Sequence, residues 1–304
     1  MIEAFIEEHQ LPDDFKRLVE EYYQPLVNRI FKQYTLNARP YFVGINGCQG
    51  SGKSTLSAYI AQYLLSTYSL NVVVMSLDDF YLPKKDRNKL AKDIHPMFEK
   101  RGVPGTHNTK LLNHVLTQLN EKKSPLLIPK FNKATDEPYQ TTKWKNVEHP
   151  VDIVIFEGWC WGVPSQAEIQ LVELINTLEK QKDSEGIWRS YVNNQLEKHY
   201  QPLYQLFDYW IALQAPSFDY VYRWRLEQEQ KLALKLKNTE KNTDPLAVMN
   251  TEQILDFIQY FQRLTEHGIK TLPLFADTTF FLDENRQIMK VKQKKSVKNH
   301  KGNK

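Results

Sequence analysis

Residues 41–55 read YFVGINGCQGSGKST: an apolar run, a turn rich in small residues, and the start of a helical pattern. Gly47, four further residues, Gly52, Lys53 and Ser54 match GxxxxGK[ST], with the strand before and the helix after that give this motif its meaning. Leu56, Tyr59, Ile60, Tyr63 and Leu64 recur on one helical face beyond it. Gly47, Gly50 and Gly52 allow the tight backbone path on which successive N–H groups point inward, and they leave room for phosphate oxygens. The helix start adds its positive dipole end to the same spot. The nucleotide is therefore expected on Gly47, Cys48, Gln49, Gly50, Ser51, Gly52, Lys53, Ser54 and Thr55. In this reading Lys53 reaches the β- and γ-phosphates, the Ser54 hydroxyl meets Mg²⁺, and Thr55 opens the helix. Oxidation of Cys48, inside the loop, is expected to block nucleotide.

Outward from the loop, NVVVMSL (71–77), VDIVIF (151–156) and YWIAL (209–213) are short apolar runs without alternation, as in strands buried on both faces of a parallel sheet. Helical patterns lie between them at about 109–120, 166–181, 187–205, 217–237 and 251–267, and TTFFLDENRQIMKV (278–291) reads as a last strand with a turn at Asp283 to Asn285. Alternating strands and helices predict a three-layer α/β phosphate-loop NTPase fold, with a central, mainly parallel sheet flanked by helices. Residues 13–34 carry a helical pattern that Pro25 must kink or break. The expected organisation is an N-terminal helical cover over 1–38, a phosphate-loop domain with lid helices over 39–289, and a basic disordered tail over 290–304.

The 304 residues, 41% hydrophobic and 25% charged, suit an ordinary globular chain with a sizeable core. The net charge of +4 is carried by the tail, where seven lysines stand without an acid; the remaining 33 basic residues face 36 acidic ones. Such a block is ordinarily a solvated end, with electrostatic contact to nucleic acid as the alternative. No run approaches the length of a membrane span, and the acidic start MIEAFIEEHQ is unlike a secretory signal, so no membrane partner and a cytoplasmic location are expected. Two cysteines, Cys48 and Cys160, supply no disulfide framework, and reduced thiols are expected.

Three carboxylates add chemistry to the loop. Glu157 closes the strand VDIVIF at the ligand-binding edge of a parallel sheet, where it can hold the water shell of Mg²⁺. Asp78 and Asp79, in SLDDFYL (76–82), close another strand about 25 residues after Lys53. If that strand neighbours the loop's strand, Asp78 faces the γ-phosphate and takes the proton of an attacking hydroxyl, with Asp79 in support. Phe80 and Tyr81 are read mainly as packing residues, Tyr81 being carried also as a substrate contact. The nearest approach to a guanine reader, Asn132-Lys133-Ala134-Thr135, lacks the aspartate such a reader requires, which excludes that class.

GxxxxGK[ST], SLDDFYL and IFEGW in this order resemble the uridine kinase, phosphoribulokinase and pantothenate kinase group of phosphate-loop kinases. RGVPGTHNTKLL (101–112), IPKFNKATDEPY (128–139), residues 192–229 and FLDENRQI (281–288) narrow the resemblance to plant-type D-glycerate 3-kinase and its microbial relatives. It spans 41–288 and implies ATP-dependent transfer to a hydroxyl of D-glycerate, giving 3-phosphoglycerate. One departure is Phe131-Asn132, where relatives carry an aromatic-acid pair.

A small anionic acceptor needs fixed positive charge. Arg101, His107 and the start of a helix capped by Asn108 converge on one anion-friendly place, and Lys130 adds a second cation. Arg223 and Arg225 are expected in a lid over the phosphates. Being two apart on a helix they point in different directions, and each has a glutamate four residues on, Glu227 and Glu229, so one of the two is expected to act on phosphate. Rival readings are a related kinase for another hydroxylated metabolite, and a nucleotide-binding module without turnover.

Overall fold

The computed structural model describes residues 1–238 and 251–294. Six strands form the main sheet: β1 (Tyr41–Gly47), β2 (Val72–Ser76), β3 (Ile153–Gly158), β4 (Tyr209–Gln214), β5 (Thr278–Leu282) and β6 (Ile288–Gln293). Their spatial order is β6-β5-β4-β1-β3-β2, parallel throughout except for β6, which returns antiparallel on β5. Every residue of β1 and β3 is buried, as their unbroken apolar runs require of strands covered on both faces.

The helices used below are α1 (Ile2–His9), α2 (Gln24–Tyr34), α3 (Lys53–Tyr68), α4 (Lys84–Asp93), α5 (Thr109–Asn120), α6 (Ile187–Gln195), α7 (Phe218–Asn238) and α8 (Thr251–Phe275). Pro25 sits in the first turn of α2, directly after a π-helical turn over Val19–Tyr23, so the break in the regular α-helix falls where the proline predicts it. The N-terminal helices share the central core: Phe5 packs against Phe15 and Tyr59, and Tyr23 lies against Tyr59 and Phe280. The α6 pattern runs on through a π-helical turn (Leu196–Tyr200) and a short helix (Gln201–Tyr204), as the 187–205 periodicity predicts.

Three expectations need correction, and one helix lies where none was expected. The 166–181 pattern is two short helices, Glu168–Val172 and Thr177–Lys182, because the Asn176 side chain accepts from Glu179 N–H and starts a new helix. Helix α4 went unread: its sequence, KKDRNKLAKD, has no apolar stripe to betray it. Helix α8 continues to Phe275, past the predicted end at 267. The tail boundary at 290 falls inside β6, and Lys292 Nζ donates to Pro273 O at 2.7 Å; residues 295–304 lie outside the described residues.

Helix α8 is fixed through a buried ion pair. Arg263 Nε and Nη2 donate to the two oxygens of Glu179 at 2.7 Å each, and its remaining N–H groups reach the carbonyls of Gln170 and Glu173. Both side chains are almost wholly buried. Removing the carboxylate leaves an uncompensated buried guanidinium, so Glu179→Ala is expected to cost about 3–5 kcal/mol. Urea unfolding should show a lower midpoint with little change in slope.

Candidate active site

The glycine-rich loop leaves the C-terminal end of β1 and enters α3 at Lys53, as the motif predicts. Gly50 has φ +78°, and a Cβ there would fall 2.8 Å from Trp224 Cβ on α7, so both conformation and packing demand glycine. Trp224 is fully buried and donates Nε1–H to Glu284 O at 2.7 Å. Arg286 completes this clamp: its Nε donates to Gly50 O at 2.8 Å, its Nη2 to Glu227 at 2.7 Å, and its guanidinium lies over the Trp224 ring. Sequence reasoning missed Arg286 because its contacts are 236 and 59 residues away. Its own φ of 67° is a left-handed, non-glycine conformation held by these bonds and by Asp283, whose carbonyl accepts from its N–H.

Cys48 is buried, and burial pushes its thiol up to about 12, against the opposing pull of Lys53. The thiol therefore stays protonated, and the expected sensitivity of the loop to oxidation has no thiolate behind it.

Strand β3, which lies between β1 and β2, delivers Glu157 to the loop. Ser54 Oγ is 3.3 Å from Glu157 Oε1, and Lys53 Nζ is 3.8 Å from Oε2. Among the described residues, the buried Oε2 has no hydrogen-bond partner, and neither has the buried Ser51 Oγ in the loop. An unsatisfied buried carboxylate oxygen beside a hydroxyl fits a hydrated Mg²⁺, which takes few protein ligands and hard oxygens only.

Because β3 intervenes, β2 does not neighbour β1, and the simple adjacency expected for Asp78 fails. A 3₁₀ turn over Leu77–Phe80 carries Asp78 toward the loop instead, with Ser76 Oγ accepting from Asp78 N–H. Both carboxylate oxygens are engaged: Oδ1 accepts from the Tyr81 hydroxyl at 3.1 Å and Oδ2 from Lys133 Nζ at 2.6 Å. Burial acts to raise the Asp78 pKa, but Lys133 and then Lys53 outweigh it and hold the carboxyl below its ordinary value. Burial and the Asp78 charge keep the Tyr81 phenol protonated, so it remains a donor. Tyr81 thus holds the Asp78 carboxylate and does more than pack the turn.

Asp79 turns the other way. It accepts from Lys130 Nζ at 2.7 Å and from Phe131 N–H at 3.4 Å, tying the SLDDFYL turn to a two-stranded ribbon of Phe131–Asn132 and Glu137–Pro138. At the tip of that ribbon Asn132 Oδ1 accepts from Ala134 and Thr135 N–H, forming the turn that presents Lys133. An aspartate would accept the same two bonds, so the departure at Phe131-Asn132 leaves this turn unchanged.

The anion-binding trio divides. Arg101 pairs with Asp136, which also takes Arg87 Nη2 at 2.7 Å, and the Arg101 guanidinium lies over the Phe131 ring. Arg87, buried and unpredicted, braces the same ribbon through the carbonyls of Leu82, Glu99 and Asp136. His107 corrects an expectation: it is buried, stacked on Tyr81 with ring centroids 4.4 Å apart, and burial lowers its pKa to about 3 despite Asp78 nearby. It is a neutral ring and supplies no fixed positive charge. Asn108 caps α5 as expected, accepting from Leu111 N–H at 3.0 Å.

On α7, Arg225 pairs with Glu229 as the spacing predicts and lies over the Phe257 ring. Arg223 does not take Glu227; it approaches Glu284 at 3.8 Å while Glu227 goes to Arg286.

A phosphate loop at the end of a central parallel strand, an acidic residue on the adjoining strand and a hydrogen-bonded aspartate at the end of the next one form the arrangement of a phosphate-loop small-molecule kinase. No protein-family model matches the chain. It is 33% identical over 239 residues to the uncharacterized kinase mug58 of Schizosaccharomyces pombe, covering 76% of this chain and 81% of that protein. It is 28% identical over 232 residues to the chloroplastic D-glycerate 3-kinase of Arabidopsis thaliana, covering 73% of this chain and 46% of that longer one. Among solved structures, D-glycerate 3-kinase from Cryptococcus neoformans superposes with a TM-score of 0.74 at 25% identity, over 90% of this chain and 99% of that one. The chain belongs to this family of phosphate-loop kinases, which includes mug58 and proteins named as D-glycerate 3-kinases.

The buried neutral His107 has a consequence for stability. An unfolded chain protonates the ring near 6.5 and the fold only near about 3, so between these values the unfolded state binds more protons and stability falls as pH falls. His107→Gln removes this loss. The stability gap between wild type and variant, measured by urea unfolding, should narrow from pH 7 to pH 4; a constant gap would contradict the assignment.

Proposed function

We propose that the protein transfers the γ-phosphoryl group of Mg-ATP to a hydroxyl of D-glycerate, giving 3-phosphoglycerate. The observation that carries the mechanism is the Asp78 carboxylate, held by Tyr81 and Lys133 within electrostatic reach of Lys53. The acceptor is supported by the relatives named as D-glycerate 3-kinases and by the exposed cation Lys133 resting on the base.

In this reading the loop from Gly47 to Thr55 binds the triphosphate through inward N–H groups and the α3 dipole, and Lys53 balances charge on the transferred group. Ser54 and Glu157 hold Mg²⁺, which when bound neutralises charge on the phosphate oxygens. Asp78 accepts the proton of the acceptor hydroxyl as its oxygen bonds to the γ-phosphorus. The bond from that phosphorus to the β,γ-bridging oxygen breaks, and its electron pair leaves with ADP. Asp79 acts at one remove by anchoring the ribbon. Arg286 fixes the carbonyl side of the loop at Gly50.

Two measurements test this. ATP consumption screened over glycerate, uridine, ribulose 5-phosphate and pantothenate should be robust with glycerate; turnover with another acceptor alone would remove glycerate and keep the mechanism. Asp78→Asn should lower kcat roughly 10²-fold or more with ATP still bound, and near-normal turnover would relieve Asp78 of its role as base.

A further inference from the structure

We propose that Lys133 recognises the negatively charged group of the acceptor, exchanging its contact with Asp78 for one with the acceptor when the site fills. This rests on the kinase reading above and deepens it. The positive charge that an anionic acceptor requires has few sources in this site. His107 is neutral, Arg101 is committed to Asp136, and Lys130 is committed to Asp79 in a contact that also anchors the ribbon's backbone.

Lys133 differs in its partner and in its setting. Its ammonium rests on Asp78 Oδ2, the carboxylate oxygen not already bonded by Tyr81. An incoming hydroxyl that is to give its proton to Asp78 meets the more open of the two oxygens where the exposed Lys133 ammonium rests. The Lys133 side chain is 60% exposed at the tip of a turn, and exposed ion pairs contribute little to stability, so the contact yields at low cost. On a three-carbon hydroxy acid, carboxylate and hydroxyl are only a few bonds apart. A cation displaced from the oxygen that receives the hydroxyl is then already beside the carboxylate.

The exchange also changes the base. Lys133 is the foremost of the charges holding the Asp78 carboxyl low, and moving it onto a carboxylate returns basicity to Asp78 at the moment a proton is to be taken. With no acceptor present, the base stays neutralised by Lys133.

The test compares wild type, Lys133→Met and Lys133→Arg on glycerate and on its uncharged amide, glyceramide. A charge-assisted contact of this kind predicts a KM for glycerate raised about tenfold or more in Lys133→Met. KM for ATP and the thermal midpoint should stay unchanged, and the preference for glycerate over glyceramide should fall toward unity. Lys133→Arg should keep most of that preference. An unchanged glycerate KM, a preserved preference, or a collapse in Lys130→Met but not in Lys133→Met would each overturn the assignment while the glycerate reading stands. If wild type instead turns over pantothenate, also a hydroxylated carboxylate, and Lys133→Met raises the KM for it, the glycerate reading fails and this proposal holds. Turnover of uncharged acceptors only would overturn both.

Discussion

Strand β3 hydrogen-bonds to β1 on one side and to β2 on the other, and the register of these two ladders sets the geometry of the site. Ile45 and Asn46 of β1 lie opposite Glu157 and Gly158, and Ser76 at the end of β2 lies opposite Glu157. The phosphate loop, the Glu157 carboxylate and the SLDDFYL turn therefore leave the sheet as one row. A one-residue slip in the β1–β3 ladder would turn Glu157 away from Ser54, and one in the β2–β3 ladder would displace the SLDDFYL turn instead. The buried Asn46 reinforces the row by donating from Nδ2 to the carbonyls of Trp159 and Trp161, which fixes the chain just beyond Glu157. Much of the fully buried core lies in these strands, so the rigidity of the site is that of the sheet itself.

Two adjacent aspartates at a strand end repel each other unless each has its own counter-charge. Here one small ribbon supplies both, Lys133 to Asp78 and Lys130 to Asp79, and the ribbon is itself held by Arg87 and Arg101 on Asp136. The two pairs are unequal. Asp79 also bonds backbone and is the more enclosed, which suits an anchor; among the described residues the Asp78 carboxylate bonds side chains, and it keeps a third of its surface open.

What could be read directly from the sequence was local. The phosphate loop, the buried strands, the Asn108 cap and the Arg225–Glu229 pair each depend on residues a few positions apart, and periodicity or motif spacing exposes such features. The strand order was not local: nothing in β2 or β3 states which lies beside β1. Lys133 was met only as part of a failed guanine reader, because its partner lies 55 residues earlier. His107 shows a different gap. Its residue type suggests a cation beside an anion, but charge at pH 7 is set by burial between Tyr81 and Tyr200, and burial comes from packing. The amide at Asn132 looked like a departure in chemistry and is, in the turn, equivalent to the acid.

The phosphate loop is the most local of these motifs, yet its conformation is completed from afar. Gly50 is pressed by Trp224 from α7, and its carbonyl is held by Arg286 from the turn between β5 and β6. Arg286 also grips Glu227 one turn further along α7, so helix, turn and loop form a closed set of contacts. A loop whose N–H groups must face inward has carbonyls that face outward, and an outward carbonyl near the core needs a donor. Arg286 meets that need with a side chain whose charge also lies near the phosphate-binding surface. Its left-handed backbone is the strain that this placement requires, and the bonds to Gly50 and Glu227 offset it. The arrangement also accounts for the division along α7, where Trp224 faces the loop while Arg223 and Arg225, one residue to either side, diverge toward Glu284 and Glu229.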